Sequence, residues 1–580
     1  MEADAELRAE FTDAASGRLR LSVTLTDSCL TVRKIGSGSP VWQHGQEHDL
    51  ELGLGDCVGC RASQCEDEGD TAAFLSVYFY PARRSWTRAP AGRQRVEHRF
   101  RVAAEEDARA NLEEAETWAR AVRHRASQLV QGLRNDCLMK ILIRSATGEN
   151  DYILLIIHHH DLLDISWCTE RKLNACVEFS RVCVSRSVMV LVNPQSGRGQ
   201  AMSLYTGPVL SMLTEANISH TLITTEHRNH ARELVRNADL SQWSAIVILS
   251  GDGLLFEVIN GLMEREDWDE AIRIPLGILP GGSGNALAAS VHHYTQAGPA
   301  LGEDLLLSCC FLLCKGLVCP LDIVSVRLSS GPRLFSFLSL AWGFVADVDI
   351  ESEKFRHVGA MRFLVGTLLR LASLRTYQGR LAFLPARENS TSSSVSFLRP
   401  HTSFCDSVQR VSHMQQETSN RHECEGQNTH NNSNDKDFQL KNDSKDNRLP
   451  DNLLSPIEDP VPTNWTIEKE QEFVLVLATC HSHLAEELVV SPDARPDDGH
   501  LHLLYVTAGI SRPALLRLFL AMEKGTHLSC ECPHLIYRRV QALRLEPITK
   551  PGVITVDGEQ VEYGPIQAQV HKGYARIICG

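Results

Sequence analysis

The chain has 580 residues, 43% of them hydrophobic and 22% charged, with a formal net charge of −14. That length accommodates about three domains with sizeable cores, and the acidic balance argues against direct nucleic-acid binding except through a local basic patch. The 18 cysteines are scattered through apolar runs (Cys309, Cys310, Cys314, Cys319), no secretory signal pattern is present, and no apolar run reaches the ~20 residues that cross a bilayer, so reduced thiols in a cytoplasmic protein are expected.

In chain order, Leu19 to Ile35 and Ala72 to Tyr80 alternate apolar and polar residues as half-buried antiparallel strands do, and Asn111 to Val130 reads as an amphipathic helix carrying an inward Trp118. Strands closed by such a helix predict a pleckstrin-homology-like (PH-like) module over 15–132. Cys57 and Cys60 form a Cys-x-x-Cys with no second pair at zinc spacing and read as structural thiols. Arg83, Arg84, Arg88, Arg93, Arg95, Arg99 and Arg101 crowd one loop and strand. That cluster fits an anionic-lipid patch, a nuclear import signal or a solvated basic hairpin. Residues 133–186, with His158, His159 and His160, read as a linker or an insertion.

From Ser187 the apolar runs SVMVLV, HTLITT, SAIVILS and PLGIL alternate with helical patterns, which predicts a parallel α/β lobe over 187–318. After Cys319 the pattern changes to LDIVSVRL, LFSFLSLAW, GRLAFL, EFVLVLA and HLHLLYV, an antiparallel β-sandwich lobe over 319–386 and 464–577. Between them, 387–463 is rich in Ser, Asn, Asp, Gln and Lys; it cannot bury a core and is expected to be a disordered insertion. The predicted fold class is α/β plus β.

Three glycine-rich turns follow predicted strands: LVNPQSGRGQ (Leu191 to Gln200), SGDGLLFEV from Ser250, and PGGSGNALA (Pro280 to Ala288). Turns at the carboxyl ends of parallel strands meet along one sheet edge, where open α/β folds bind nucleotides. Glycines flanking Asp252 let backbone approach a ligand closely, and the helix start behind them is an anion site. Alone, Gly-Asp-Gly is an ordinary turn; with two companions it aims a carboxylate at a phosphate.

With TEHRNHAREL, AWGFVADVDIESEKFRHVGAMRF, LLRLFLAMEKG and VDGEQVEYGP added, the chain resembles the diacylglycerol-kinase-type lipid kinases, and among them the sphingosine kinases, with an N-terminal extension and an ending of type 2 character. The resemblance implies ATP and Mg²⁺ as cofactors and transfer to the primary hydroxyl of sphingosine and related sphingoid bases. It assigns Asp252 as the base. It places Asn193, Gly197, Gly199, Thr225, Ser250, Gly253, Gly282, Ser283, Gly284, Arg356, Arg362, Asp557 and Glu559 at the nucleotide, with Asp557 also the candidate metal ligand. Asp349 matches the residue that recognises the cationic amine, and Phe344, Phe363, Thr367 and Phe519 belong to the lipid channel, whose wall by helical spacing also includes Val348, Leu368, Leu371, Leu515, Leu518 and Met522. Asp347 is expected to point away from Asp349 by the period of a strand or turn. Phe256 departs from the family pattern, which has histidine there. A ceramide kinase and a weakly active lipid-binding scaffold remain alternatives. Membrane association would be peripheral, with nuclear import through the arginine segment.

Overall fold

The computed structural model describes residues 6–35, 49–67, 69–83, 92–136, 138–144, 151–158, 161–169, 187–359, 361–386 and 449–579. The expected disorder over 387–448 and the import signal around Arg84 and Arg88 lie outside them.

Seven strands open the chain: β1 (Leu7–Asp13), β2 (Arg20–Leu25), β3 (Cys29–Lys34), β4 (Leu50–Gly53), β5 (Cys57–Gln64), β6 (Ala73–Phe79) and β7 (Val96–Val102). They form an antiparallel sheet in the order β4-β3-β2-β1-β7-β6-β5, followed by the helix α1 (Ala108–Asp136). Leu19 to Ile35 holds the hairpin of β2 and β3, turned where Thr26 N–H donates to Cys29 O (3.0 Å). Trp118 is buried edge-on against Phe11, with centroids 5.2 Å apart, among Val23, Leu25, Leu75, Val77 and Phe79. Cys57 and Cys60 are free thiols in that core, and burial pushes Cys57 up to about 11. Within 133–186, read as a linker, the backbone forms a three-stranded antiparallel sheet of β8 (Leu138–Arg144), β9 (Asp151–His158) and β10 (Asp161–Thr169).

The next lobe contains β11 (Ser187–Val192), a helical stretch α2 over 201–215, β12 (His220–Thr224), α3 (His230–Asn237), β13 (Trp243–Ser250), α4 (Asp252–Met263), β14 (Leu276–Pro280), α5 (Ala286–Tyr294) and α6 (Gly302–Lys315). Its strands are parallel in the order β12-β11-β13-β14. They are nearly continuous apolar runs, as strands covered on both faces must be; Ala245 to Leu249 are at most 1% exposed. Register pairs Val192 with Thr224 and with Leu249, and Ser250 with Pro280. The four carboxyl ends are therefore level, and the turns that follow share one edge.

The N-terminal module docks on α2 and α6. Glu215, 5% exposed, accepts from Tyr80 Oη (2.7 Å) and Arg95 Nε (2.6 Å). Lys315 Nζ donates to Cys57 O (2.6 Å). Arg93 pairs with Asp56 (2.9 Å) and lies 3.5 Å over the Phe311 ring. The other described arginines of the cluster are also paired: Arg83 with Asp304 (3.3 Å) and Arg101 with Asp70 (2.7 Å), while Arg99 covers the Phe74 ring.

The second lobe is built from β15 (Val318–Leu328), β16 (Leu334–Ser336), β17 (Ser339–Gly343), α7 (Phe344–Ser352), α8 (Met361–Ala372), β18 (Tyr377–Pro385), β19 (Thr466–Ile467), β20 (Glu472–Thr479), β21 (His483–Ala485), β22 (Leu488–Val489), β23 (Leu501–Thr507), α9 (Arg512–Glu523), β24 (Leu535–Pro547), β25 (Ile554–Val556), β26 (Glu559–Val561) and β27 (Ile566–Ile578). Its strands are antiparallel, and β27 joins β14 through the single pair Leu276 and Ile577. The run LFSFLSLAW, expected as one strand, is split into β16 and β17. The folded lobe also resumes before residue 464: Asp451, assigned by composition to the insertion, has a fully buried side chain that accepts from Ser325 Oγ and Arg327 Nε (both 2.5 Å), with Arg333 also bound.

Candidate active site

The level strand ends bring the three glycine-rich turns into contact. A β-carbon on Gly282 would stand 2.7 Å from Gly251 N, and one on Gly197, whose φ is +60°, 2.8 Å from Gly281 O. Only glycine permits that approach. Ser250 Oγ donates to Ser196 Oγ (3.0 Å), fixing the first turn to the second. Asp252 is the first residue of α4, and its carboxylate crosses to the start of α5: Oδ2 accepts from Ala286 N–H (2.9 Å) and Oδ1 from Leu287 N–H (3.0 Å). Desolvation holds this carboxyl above its ordinary range, and the two N–H donors oppose that rise.

A cavity of about 940 Å³ opens in front of these turns and extends between α7, α8 and α9. Asp252, Asp349, Phe344, Phe363, Thr367, Phe519 and all the residues assigned to the nucleotide except Gly199 and Arg356 line it. Gly199 instead closes the turn behind, its N–H donating to Ser196 O (2.9 Å). The Arg356 side chain lies outside the described ones. Arg362 is 8% exposed, bound to Glu353, and stacked 4.4 Å from the Phe363 centroid. Its charge lowers the carboxyl of Asp349, yet desolvation dominates and pushes Asp349 up to about 7.

Asp557 is held by four donors. It is 3% exposed, and its Oδ1 accepts from Ser336 Oγ (2.6 Å), Leu338 N–H (3.0 Å) and Ser339 N–H (2.8 Å) while Oδ2 accepts from Phe337 N–H (3.0 Å). Oδ1 is consumed in fastening the corner that splits β16 from β17, and Oδ2, with one donor, keeps a lone pair on a residue that lines the cavity. Glu559, two residues on, faces the cleft and pairs with Arg228 (2.5 Å). Glu257 accepts Asn229 N–H at Oε1 (3.0 Å), and its Oε2 is buried with no hydrogen-bond partner.

The apolar end divides the predicted channel wall. Phe344 stacks on Phe519 (5.3 Å) and lines the cavity with Val348, Phe363 and Thr367. Leu515, Leu518 and Met522 belong to the core behind it, with Leu371 packed against them, and Leu368 is 50% exposed. Asp347 does point away from Asp349, but because α7 is a helix rather than a strand; it is buried against Tyr377 and Arg370. Phe256 is buried and does not line the cavity, so the departure from histidine is a packing change. Among the described residues no cluster of three His, Cys, Asp or Glu is placed to hold a metal. Asn285, Glu257, Arg228 and Glu486 were missed from sequence; all but Glu486 sit in motifs already noted.

A model of the diacylglycerol kinase catalytic domain matches residues 187–326, and one of the YegS C-terminal NAD kinase β-sandwich-like domain matches 464–579. Fold and cleft thus define a lipid kinase of the diacylglycerol kinase type. Human sphingosine kinase 1 is 47% identical over 393 residues, covering 68% of this chain and 91% of that protein; human sphingosine kinase 2 is 37% identical over 645, covering 99% and 91%. The chain belongs to the sphingosine kinase family, and it resembles the type 2 member along nearly its whole length. A crystal structure of a diacylglycerol kinase from Bacillus anthracis aligns at 13% identity with a TM-score of 0.38, covering 68% of this chain and 97% of its own.

Proposed function

We propose that this chain transfers the γ-phosphoryl group of ATP to the primary hydroxyl of sphingosine and related sphingoid bases. The observation that carries the reading is the pairing, in one cavity, of Asp252 at the glycine turns with Asp349 on the apolar side. The hydroxyl oxygen forms a bond to Pγ, the bond from Pγ to the ADP oxygen breaks, and the hydroxyl proton passes to Asp252. Its two N–H bonds leave each oxygen a second lone pair for that proton. Asn193, Thr225, Ser250 and the glycines from Gly197 to Gly284 receive the nucleoside and phosphates, and Arg362 lends positive charge. A divalent cation, Mg²⁺ in this reading, would neutralise phosphate charge; the unpartnered Glu257 Oε2, with Glu559 beside it, fits that need.

Asp349 suits a cationic amine, and no side-chain hydrogen bond to a described residue competes for it. Beyond it, Phe344, Phe363, Thr367 and Phe519 take the alkyl chain, where roughly fifteen methylenes at ~0.8 kcal/mol each outweigh any single polar contact. The N-terminal sheet and its helix we read as a PH-like module, with domains at 15–132, 187–318, and 319–386 with 464–577. Among the described residues no helix is long and apolar enough to cross a membrane; peripheral association is the proposed route to the substrate. Purified protein with labelled ATP and sphingosine, ceramide or diacylglycerol tests the reading: label in ceramide alone would make it a ceramide kinase, and label in none a scaffold.

A further inference from the structure

The hairpin of β21 and β22 belongs to the second lobe, yet its tip lies on the first. Glu486 donates its backbone N–H to Gly284 O (2.9 Å). Its carboxylate accepts from Asn285 Nδ2 (2.6 Å) and from Gly302 N–H (3.2 Å). Asn285 occupies the left-handed region, φ +53°, immediately before α5, and its Oδ1 accepts from Gly282 N–H (2.9 Å). The next two residues, Ala286 and Leu287, are those whose N–H groups hold Asp252. One acidic side chain therefore ties the second lobe to the residue that shapes both the third glycine turn and the helix start behind Asp252. Deeper in the same seam, His483 N–H donates to Ser290 Oγ of α5 (3.1 Å), so the hairpin follows the helix rather than touching it once.

We propose that Glu486 is a positioning residue for nucleotide binding: by holding Asn285 in its left-handed conformation it keeps the Gly282–Gly284 turn in the shape that receives phosphate. A non-glycine residue at positive φ is held there by its surroundings, and a hydrogen bond to a carboxylate is among the stronger ways to do so. The proposal rests on the nucleotide site described above and adds a residue contributed by the opposite lobe. It acts through Asn285 and touches no reacting atom.

The test uses full-length protein, with MgADP binding measured by calorimetry, the KM of ATP and of sphingosine with kcat, and thermal melting as a control. Glu486→Ala should weaken MgADP and raise the ATP KM about ten-fold, the size of one charge-assisted hydrogen bond, with the sphingosine KM within about two-fold of wild type. Glu486→Gln should recover most of that affinity, since its amide oxygen still accepts from Asn285. Wild-type MgADP affinity in Glu486→Ala overturns the proposal, as do equal losses for both substrates or a glutamine variant as poor as the alanine one. Should Glu486→Ala fail to fold, Glu486→Ser, too short to reach Asn285 Nδ2, should weaken MgADP in the same way, and wild-type affinity in that variant refutes the idea. Because MgADP binding is read without lipid, a wild-type protein that binds nucleotide yet leaves sphingosine unmodified would sink the kinase reading and leave this one standing.

Discussion

Replacing Asp252 by asparagine removes one charge and turns one carboxylate oxygen into an NH₂. Each oxygen holds one backbone N–H of α5. Asparagine can satisfy one; its NH₂ then confronts the other, leaving a donor unpaired at a cost of ~1–3 kcal/mol. Opposing this is the desolvation that holds the Asp252 carboxyl above its ordinary value. A group whose folded pKa is raised lends stability below its unfolded pKa and loses it as pH rises through the folded one, so the ionised form of this carboxylate is a cost to the fold that asparagine removes. The two effects offset, and the melting temperature should move by no more than about 4 °C. Chemistry has no such compensation: loss of a positioned base should lower kcat by ~10² or more, about 2.7 kcal/mol of barrier. Phosphate transfer from labelled ATP to detergent-dispersed sphingosine, with MgADP affinity measured alongside, reads both. Turnover within about ten-fold of wild type, with nucleotide binding intact, falls below the range expected of a general base and would remove Asp252 from that role.

Asp349, pushed up to about 7, is neutral below that value, so the sphingosine KM should fall as pH rises through about 7. Asp349→Asn should show a high KM without this dependence and an unchanged ATP KM; equal effects on both substrates would mark Asp349 as structural. Asp557→Asn should destabilise the fold by ~3 kcal/mol or more in denaturant titration, since a buried four-donor anchor is broken, while the Mg²⁺ requirement of the folded fraction stays the same. A shifted Mg²⁺ requirement at wild-type stability would place Asp557 at the metal. Arg93→Ala with Arg95→Ala should lower the melting temperature by breaking the contacts to Asp56, Phe311 and Glu215 and leave binding to anionic vesicles unaltered; release from vesicles at constant stability would uphold the lipid-patch reading.

The parallel lobe was legible because its signals are local: SAIVILS followed by Gly-Asp-Gly states a buried strand, a tight turn and a helix start within about a dozen residues. Trp118 was legible for the same reason, since helical period alone turns it inward. What stayed hidden has a different cause. The four donors that hold Asp557 come from residues 336–339, more than two hundred positions earlier, and nothing at Asp557 announces them. The same distance hides Glu486, whose partner Asn285 is 201 residues away. Part of the arginine cluster's pairing was hidden because Glu215, Asp304 and Phe311 lie in another domain. Composition failed at Asp451 because a single polar residue in a polar tract cannot show that Arg327, Arg333 and His571 wait for it.

The seam between the lobes has a mechanical meaning. β14 meets β27 through one residue pair, Leu276 and Ile577, at the end of β14 away from the glycine turn that follows Pro280. Four residues at ~3.3 Å each put that turn about 13 Å from the pivot. A rotation of about 10° there would move the turn by roughly 2 Å, and would have to break the Glu486 contacts to Gly284, Asn285 and Gly302 that close the same seam. The cleft is thus clasped at both ends, by a strand pair behind and a hairpin in front, so the third glycine turn cannot shift without both lobes responding.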